Sequence, residues 1–359
     1  MQPQHRFLDF QGRDVFVGLD VAKKSWKVSI IVGPDQVHRT FTQPPQPEIL
    51  AQYLRRNFPG AAYHCVYEAG FSGFWTHHSL TALGIDCVVV NPADVATTNK
   101  ERQCKTDRID AQKLARELSN GALRAIYVPG RKAQEDRSLV RVRANFVRKQ
   151  TRTKNQIKAL LEYYGLRPKE ATGSAERHWS KAYIRWLQEV PFCHPSGRAA
   201  MDVLLGELLS LRESIAHLTR QIRLLASQDL YRNRTELLCS VPGVSLLIAM
   251  TFLTEIVSIE RFDGLDSLAS FVGLVPGERS TGDRQVVTGI TRRHNKVLRA
   301  MIVESAWVAI RHDPALMMAF MRLSSRMPKQ CAIVRIARKL LNRMRTVLRS
   351  QTPYQLRTV

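Results

Sequence analysis

No run of apolar residues approaches the roughly 20 that a helix needs to cross a bilayer, and Met1 to Phe10 contain no hydrophobic signal core. A chain without a membrane partner, resident in the cytoplasm, is expected. The six cysteines (Cys65, Cys87, Cys104, Cys193, Cys239, Cys331) show neither CxxC nor Cys/His ligand spacing, which argues against a zinc site and a disulfide framework. They read as small buried hydrophobes of a reducing compartment. Acidic residues are also scarce, 31 against 54 Lys and Arg, and none lies beyond Asp313. The net charge of +23 exceeds what an acidic metabolite would require and points to a polyanion.

What is present is enough for a fold. The hydrophobic fraction of 44% over 359 residues excludes a disordered basic tail and leaves material for two domains with a linking element. Strands are expected at 15–20, 26–32 and 37–41, the last two joined by the turn formers Gly33-Pro34-Asp35. Further strands at 63–67 and 86–90 flank an apolar helix at 74–83, an order that implies a parallel pair. A helix from about Asp107 to Ser119 follows, with Thr106 as its N-cap. Three meandering strands followed by alternating helices and strands give an α/β RNase H-like N-terminal domain over residues 1–130.

Past Pro129 the strands give way to helix formers. Residues 131–158 hold ten Lys and Arg against Glu135 and Asp136. Leu204, Leu208, Leu211, Ile215, Leu218, Ile222 and Leu225 are spaced alternately by four and three, a heptad seam that fits a coiled coil between or within subunits as well as an amphipathic helix packed on its own domain. Residues 131–230 therefore form a basic helical and coiled-coil segment, and residues 231–359 a mainly α C-terminal domain. Within the latter, Ser240-Val241-Pro242-Gly243-Val244-Ser245 reads as the turn of a helix-hairpin-helix-like element.

Four carboxylates stand out. Asp20 ends the first apolar strand and Glu68 the fourth, and active sites in α/β folds gather at the carboxyl ends of strands. Asp107 and Asp110, three apart, share a face of a helix's first turn, where the helix dipole alone also accounts for them. Together, Asp20, Glu68, Asp107 and Asp110 are the kind of donor set that a two-metal phosphodiester site, holding two Mg²⁺ ions, needs. Arg292, Arg293, Lys296 and Arg299 are candidate phosphate contacts.

The chain resembles insertion-sequence transposases that join a RuvC-like DEDD nuclease domain to a C-terminal serine transposase domain, relatives of the Piv-type DNA invertases. The likeness rests on Val17-Gly18-Leu19-Asp20-Val21-Ala22-Lys23, Tyr67-Glu68-Ala69-Gly70, Val90-Asn91-Pro92 and Lys105-Thr106-Asp107-Arg108-Ile109-Asp110-Ala111. In the second half it rests on Val241-Pro242-Gly243-Val244, Gly273-Leu274-Val275-Pro276, Ser280-Thr281-Gly282 and Gly289-Ile290-Thr291. The resemblance implies that the four acids bind metal, that Lys105 and Arg108 contact nucleic acid, and that a hydroxyl in Ser280-Thr281-Gly282 forms a 5′-phosphoserine link to DNA. It further implies double-stranded donor and target DNA, a guide non-coding RNA (a bridge RNA), a dimer or tetramer, and residence near a prokaryotic nucleoid.

In the family the nucleophilic serine directly precedes the glycine, whereas here Thr281 does and Ser280 stands one step earlier. Ser280, the less hindered primary alcohol, is favoured, and Thr281 stays open. Two competing readings remain: a metal-dependent hydrolytic nuclease or Holliday-junction resolvase in which the acids act alone, and a non-catalytic nucleic-acid-binding protein.

Overall fold

The computed structural model describes residues 10–33, 37–95, 106–167, 179–281, 284–291 and 294–356, with 278–281 and 284–288 described by their backbone. The chain divides into two compact units, the first ending at Val128 and the second starting at Pro129.

In the first unit, β1 (Asp14–Val21), β2 (Trp26–Val32), β3 (Val37–Gln43), β4 (Ala62–Glu68) and β5 (Asp86–Val90) form one sheet. Its order is β3-β2-β1-β4-β5. The first three strands pair antiparallel, while β1–β4 and β4–β5 are parallel, so the expected parallel pair forms. This mixed α/β layout is compatible with an RNase H-like frame.

Alternation along β1 sends Val15, Val17 and Leu19 to one face and Phe16, Gly18 and Asp20 to the other. The first face is covered by α1 (Pro47–Asn57) and α2 (Trp75–Ala82), whose Leu50, Leu54 and Leu80 join Cys65, Tyr67 and Val89 in the core. On the second face lies α3 (Asp107–Ser119), with Leu114 packed against Val66 and Val90. Gly18 is what admits this helix: a Cβ there would stand 2.1 Å from the Ala111 carbonyl oxygen and 2.5 Å from the Ala115 nitrogen. Thr106 caps α3 as expected, its hydroxyl accepting from the Ile109 N–H at 3.4 Å.

The second unit is mainly helical. It contains α4 (Arg131–Tyr163), α5 (Lys181–Glu189), α6 (Pro195–Ala226), α7 (Arg232–Cys239), α8 (Leu246–Ile256) and α9 (Leu265–Val272). A hairpin of β6 (Pro276–Thr281) and β7 (Arg284–Ile290) follows, then α10 (Lys296–His312), α11 (Pro314–Ser324) and α12 (Lys329–Ser350). Helices α4 and α6 run antiparallel. Val140 shares a core with Ile222 and Leu225 at one end, Ile157 and Leu161 share another with Met201 and Leu205 at the other, and Arg143 Nε donates to Thr219 Oγ1 at 2.8 Å between them.

One open sequence reading is narrowed here and two expectations change. The heptad seam of α6 faces α4 of the same chain: Leu208, Leu211, Ile222 and Leu225 are buried, while Leu204, Ile215 and Leu218 are half-buried. The pairing is thus intramolecular, and at mid-length it leaves an open groove of about 470 Å³ whose walls include Val142, Phe146 and Leu218. Residues 231–359, expected to be mainly α with no strand named, also contain the β6–β7 hairpin. Its strands carry few apolar residues, and the pairing that creates them is invisible to local periodicity. Finally, Cys65 and Cys87 are buried but Cys193, Cys239 and Cys331 are exposed, because the latter three sit at helix ends or in a connection outside the apolar seams. No helix among the described residues is long and apolar enough to cross a membrane.

Candidate active site

The acid site is assembled by β1, β4 and α3. Asp20 and Glu68 lie at the carboxyl ends of two neighbouring parallel strands, where Leu19 is paired with Tyr67. Because α3 presses on Gly18, its first turn is held above those strand ends. Asp20, Glu68 and Asp110 consequently line one cleft of about 150 Å³, together with Gly70, Phe71 and Ser72 of the loop after β4. Asp107 is exposed one turn earlier and is not part of that lining. Three of the four predicted acids are therefore brought to one cleft, and the fourth sits beside it on the same helix.

The donors are carboxylate oxygens, the chemistry a hard divalent cation such as Mg²⁺ prefers. Among the described residues, no three His, Cys, Asp or Glu side chains are drawn together closely enough to ligate one ion. In donor type the acids fit Mg²⁺, and their present spacing is that of an open cleft.

The loop after β4 is anchored at both ends. The Ala69 N–H donates to the Val90 carbonyl at 2.7 Å, and the buried Tyr67 donates its phenol hydrogen to the Gly73 carbonyl at 2.9 Å. Burial raises the Tyr67 hydroxyl pKa above its ordinary value, so this bond keeps its proton at any physiological pH. Between the anchors Phe71 is 65% exposed at the cleft rim, with Lys23 Nζ 5.9 Å from its ring centroid. Sequence reasoning missed Phe71. Its signal is an aromatic residue between two glycines, three positions after an acid.

The predicted nucleic-acid contacts fare differently. Arg108 is exposed in the first turn of α3, and Lys296 is exposed as the first residue of α10. Arg299 instead turns inward, donating to the Thr291 carbonyl at 3.1 Å and facing the His294 ring at 3.4 Å. Lys105, Arg292 and Arg293 lie outside the described residues.

Ser280 and Thr281 close β6, in register with Gln285 and Arg284 of β7; their side chains lie outside what is described. The base of this hairpin is firmly held. The Thr291 N–H donates to the Val275 carbonyl at 3.3 Å, and the Asn295 N–H to the Phe271 carbonyl at 3.0 Å. The Asn295 side chain caps α10 by accepting from Val297 and Leu298 N–H, each at 3.1 Å. Its amide donates to Glu255 Oε2 at 2.8 Å, and Arg141 grips that carboxylate with two bonds of 2.6 and 2.8 Å. Glu255 is only 2% exposed, so this network is a buried charged cluster of the second unit.

Comparison with known proteins gives these features a family. Residues 17–165 match the DEDD transposase model of IS110 elements, and residues 235–322 match the model described as transposase IS116/IS110/IS902 family. The chain is 32% identical to "Putative transposase y4qE" of Sinorhizobium fredii, over 82% of this chain and 72% of that protein. It is 28% identical to the transposase for insertion sequence element IS1111A of Coxiella burnetii, over 69% of this chain and 66% of that protein. With acids from two strand ends and one helix sharing a cleft inside the stretch that matches the DEDD model, the chain belongs to the IS116/IS110/IS902 family and is a DNA transposase.

Proposed function

We propose that the chain cuts and rejoins the DNA of its mobile element, with Mg²⁺ held by Asp20, Glu68, Asp107 and Asp110 and a hydroxyl of the β6 strand as nucleophile. The observation that carries the metal assignment is the sharing of one cleft by Asp20, Glu68 and Asp110, residues far apart in sequence. A DEDD transposase domain implies dependence on a divalent ion, and when bound that ion would polarise the scissile phosphate and stabilise the leaving oxygen.

Ser280 is the favoured nucleophile and Thr281 the alternative. The hydroxyl oxygen attacks phosphorus, the bond from phosphorus to the 3′ oxygen breaks, the 3′ end leaves as a hydroxyl, and the 5′ phosphate stays on the protein. Reversal with a different 3′ end completes strand transfer, so bond energy is conserved and no external energy source is required. The resemblance also supports double-stranded donor and target DNA, selection of both by a guide RNA, and action as a dimer or tetramer. Base pairing would then supply sequence specificity, leaving the protein to bind backbone and shape.

The test is a denaturing gel of protein, Mg²⁺, DNA and the element's own non-coding RNA. Wild type is expected to form a covalent protein–DNA adduct that the Ser280→Ala, Thr281→Ala double variant lacks. Asp20→Asn is expected to lower cleavage roughly a thousandfold, about 4 kcal/mol of lost transition-state stabilisation. Cleavage by wild type without any adduct would move the assignment to hydrolysis by the acids alone. Undiminished cleavage by Asp20→Asn would remove the metal assignment.

A further inference from the structure

Helix α4 carries eight Lys and Arg and no acid between Asp136 and Glu162, and the structure sorts these cations into two kinds. Arg137 donates to the Thr254 carbonyl, Arg141 clasps Glu255, Arg143 donates to Thr219, and Lys154 lies 5.3 Å from the centre of the Trp179 ring. These four bind α4 to its own unit. The other four make no such contact with the rest of the unit among the described residues. Arg148 meets Asn145 and Lys149 the Phe146 ring, both on α4 itself, and the exposed Lys158 lies on another face of the helix, leaving Arg148, Lys149 and Arg152 as one group. All three are exposed, and none forms an ion pair with a carboxylate among the described residues.

At 100° per residue, these three cations fall with Asn145, Asn155 and Gln156 inside an arc of about 120°. The arc lies opposite the buried Thr153, Ile157 and Leu161. From Asn145 to Gln156 the face is about 16 Å long at 1.5 Å per residue, close to five phosphate steps of one DNA strand at about 3.4 Å each. It presents positive charge and neutral hydrogen-bonding amides with no apolar or acidic interruption. That composition suits a phosphate backbone, whose contacts fix position without reading sequence.

We propose that this outward face of α4 is a binding surface for the backbone of duplex DNA, separate from the acid cleft and the β6 hydroxyls. The three like charges repel one another along the helix, and a polyanion laid across them relieves that repulsion while releasing its own counterions. DNA is the polyanion on which this family acts, and the proposal depends on neither the nucleophile nor the guide RNA.

The test uses the full chain and a fluorescently labelled DNA duplex of arbitrary sequence, titrated by anisotropy across a salt series. Each phosphate contact contributes about −0.9 to the slope of log K against log salt. Arg148→Gln, Lys149→Gln, Arg152→Gln in one variant is therefore expected to flatten that slope by about 3. The wild type's affinity advantage should shrink about 40-fold between about 50 and 200 mM salt. An Arg148→Lys, Arg152→Lys variant should keep the wild-type slope, because phosphate senses a point charge, and both variants should melt as wild type does. An unchanged slope in the neutralised variant overturns the proposal, as does a loss seen with an RNA of the same length and absent with DNA.

Discussion

His64 shows how a single side chain records its surroundings. Its Nε2 faces Asp14 Oδ1 at 2.9 Å and its Nδ1 faces Asp86 Oδ2 at 3.1 Å, with the Phe16 ring stacked on it at 5.4 Å. Both nitrogens can donate only in the imidazolium form. Burial pulls the pKa down, and the bonds and charges of the two aspartates outweigh it, leaving the value above its ordinary 6.5. The stabilisation is thus complete below about pH 6.5 and is lost as pH rises through the higher folded value. The partners are more than half exposed, which limits the effect to roughly under 1 kcal/mol. Urea midpoints should fall more between pH 6 and pH 8 for wild type than for His64→Gln, and equal falls would refute this. Gly18 makes the opposite demand, for the absence of a side chain. Gly18→Ala forces apart backbone atoms that a Cβ would approach at 2.1 Å, so a loss of about 2 kcal/mol is expected, together with reduced DNA cleavage as Asp110 is lifted from the strand ends. A variant as stable and active as wild type would show that α3 does not depend on this contact.

Among elements, legibility follows how local the cause is. Strands β1, β2, β4 and β5 are apolar runs bounded by turn residues, and α3 announces itself through Thr106, so all were readable. Helix α1 is not among the expected elements, although Pro47 at its start, Glu48 in its first turn and Arg55 and Arg56 in its last are start and stop signals; its short apolar stripe of Leu50, Ala51 and Leu54 is easily passed over. The β6–β7 hairpin was unreadable for a deeper reason. Gly277-Glu278-Arg279-Ser280-Thr281 has no alternating pattern, and its strand character comes from register with β7. For the acids, strand-end position put Asp20 beside Glu68, which the structure places in one cleft with Asp110, and spacing of three placed Asp107 with Asp110. Spacing could not say that Asp107, the first residue of its helix, stands beside the cleft that Asp110 lines. Sequence also gave no hint that α4, α8 and α10 meet at Glu255. Removing Arg141 leaves a carboxylate that is 2% exposed with weaker partners, so Arg141→Ala is expected to cost about 3 kcal/mol; a chemical denaturation midpoint within error of wild type would contradict it.

At the scale of the whole molecule, the two compact units divide these effects between them. Calorimetry should register Gly18→Ala in the unfolding of the unit ending at Val128, and Arg141→Ala in that of the unit starting at Pro129. A single transition lowered equally by both variants would show that the units unfold as one. The surplus of basic residues is likewise divided: part of it is consumed in internal bonds, as with Arg137, Arg141, Arg143, Arg299 and Arg343, the last paired with the buried Asp313. Only the remainder is available to a polyanion, so net charge overstates the nucleic-acid surface, and a count of partnered guanidinium groups corrects it.

The order in which the cleft's acids leave the ribosome has a consequence of its own. Asp20 and Glu68 emerge early on neighbouring strands, but Asp110 arrives only with the helix that follows the completed sheet. A nascent chain stalled before that helix would carry a finished sheet and an incomplete set of acids. On the proposed mechanism such a product lacks both an acid of the cleft and the hydroxyls of β6, so cutting of DNA would wait until the second unit is made.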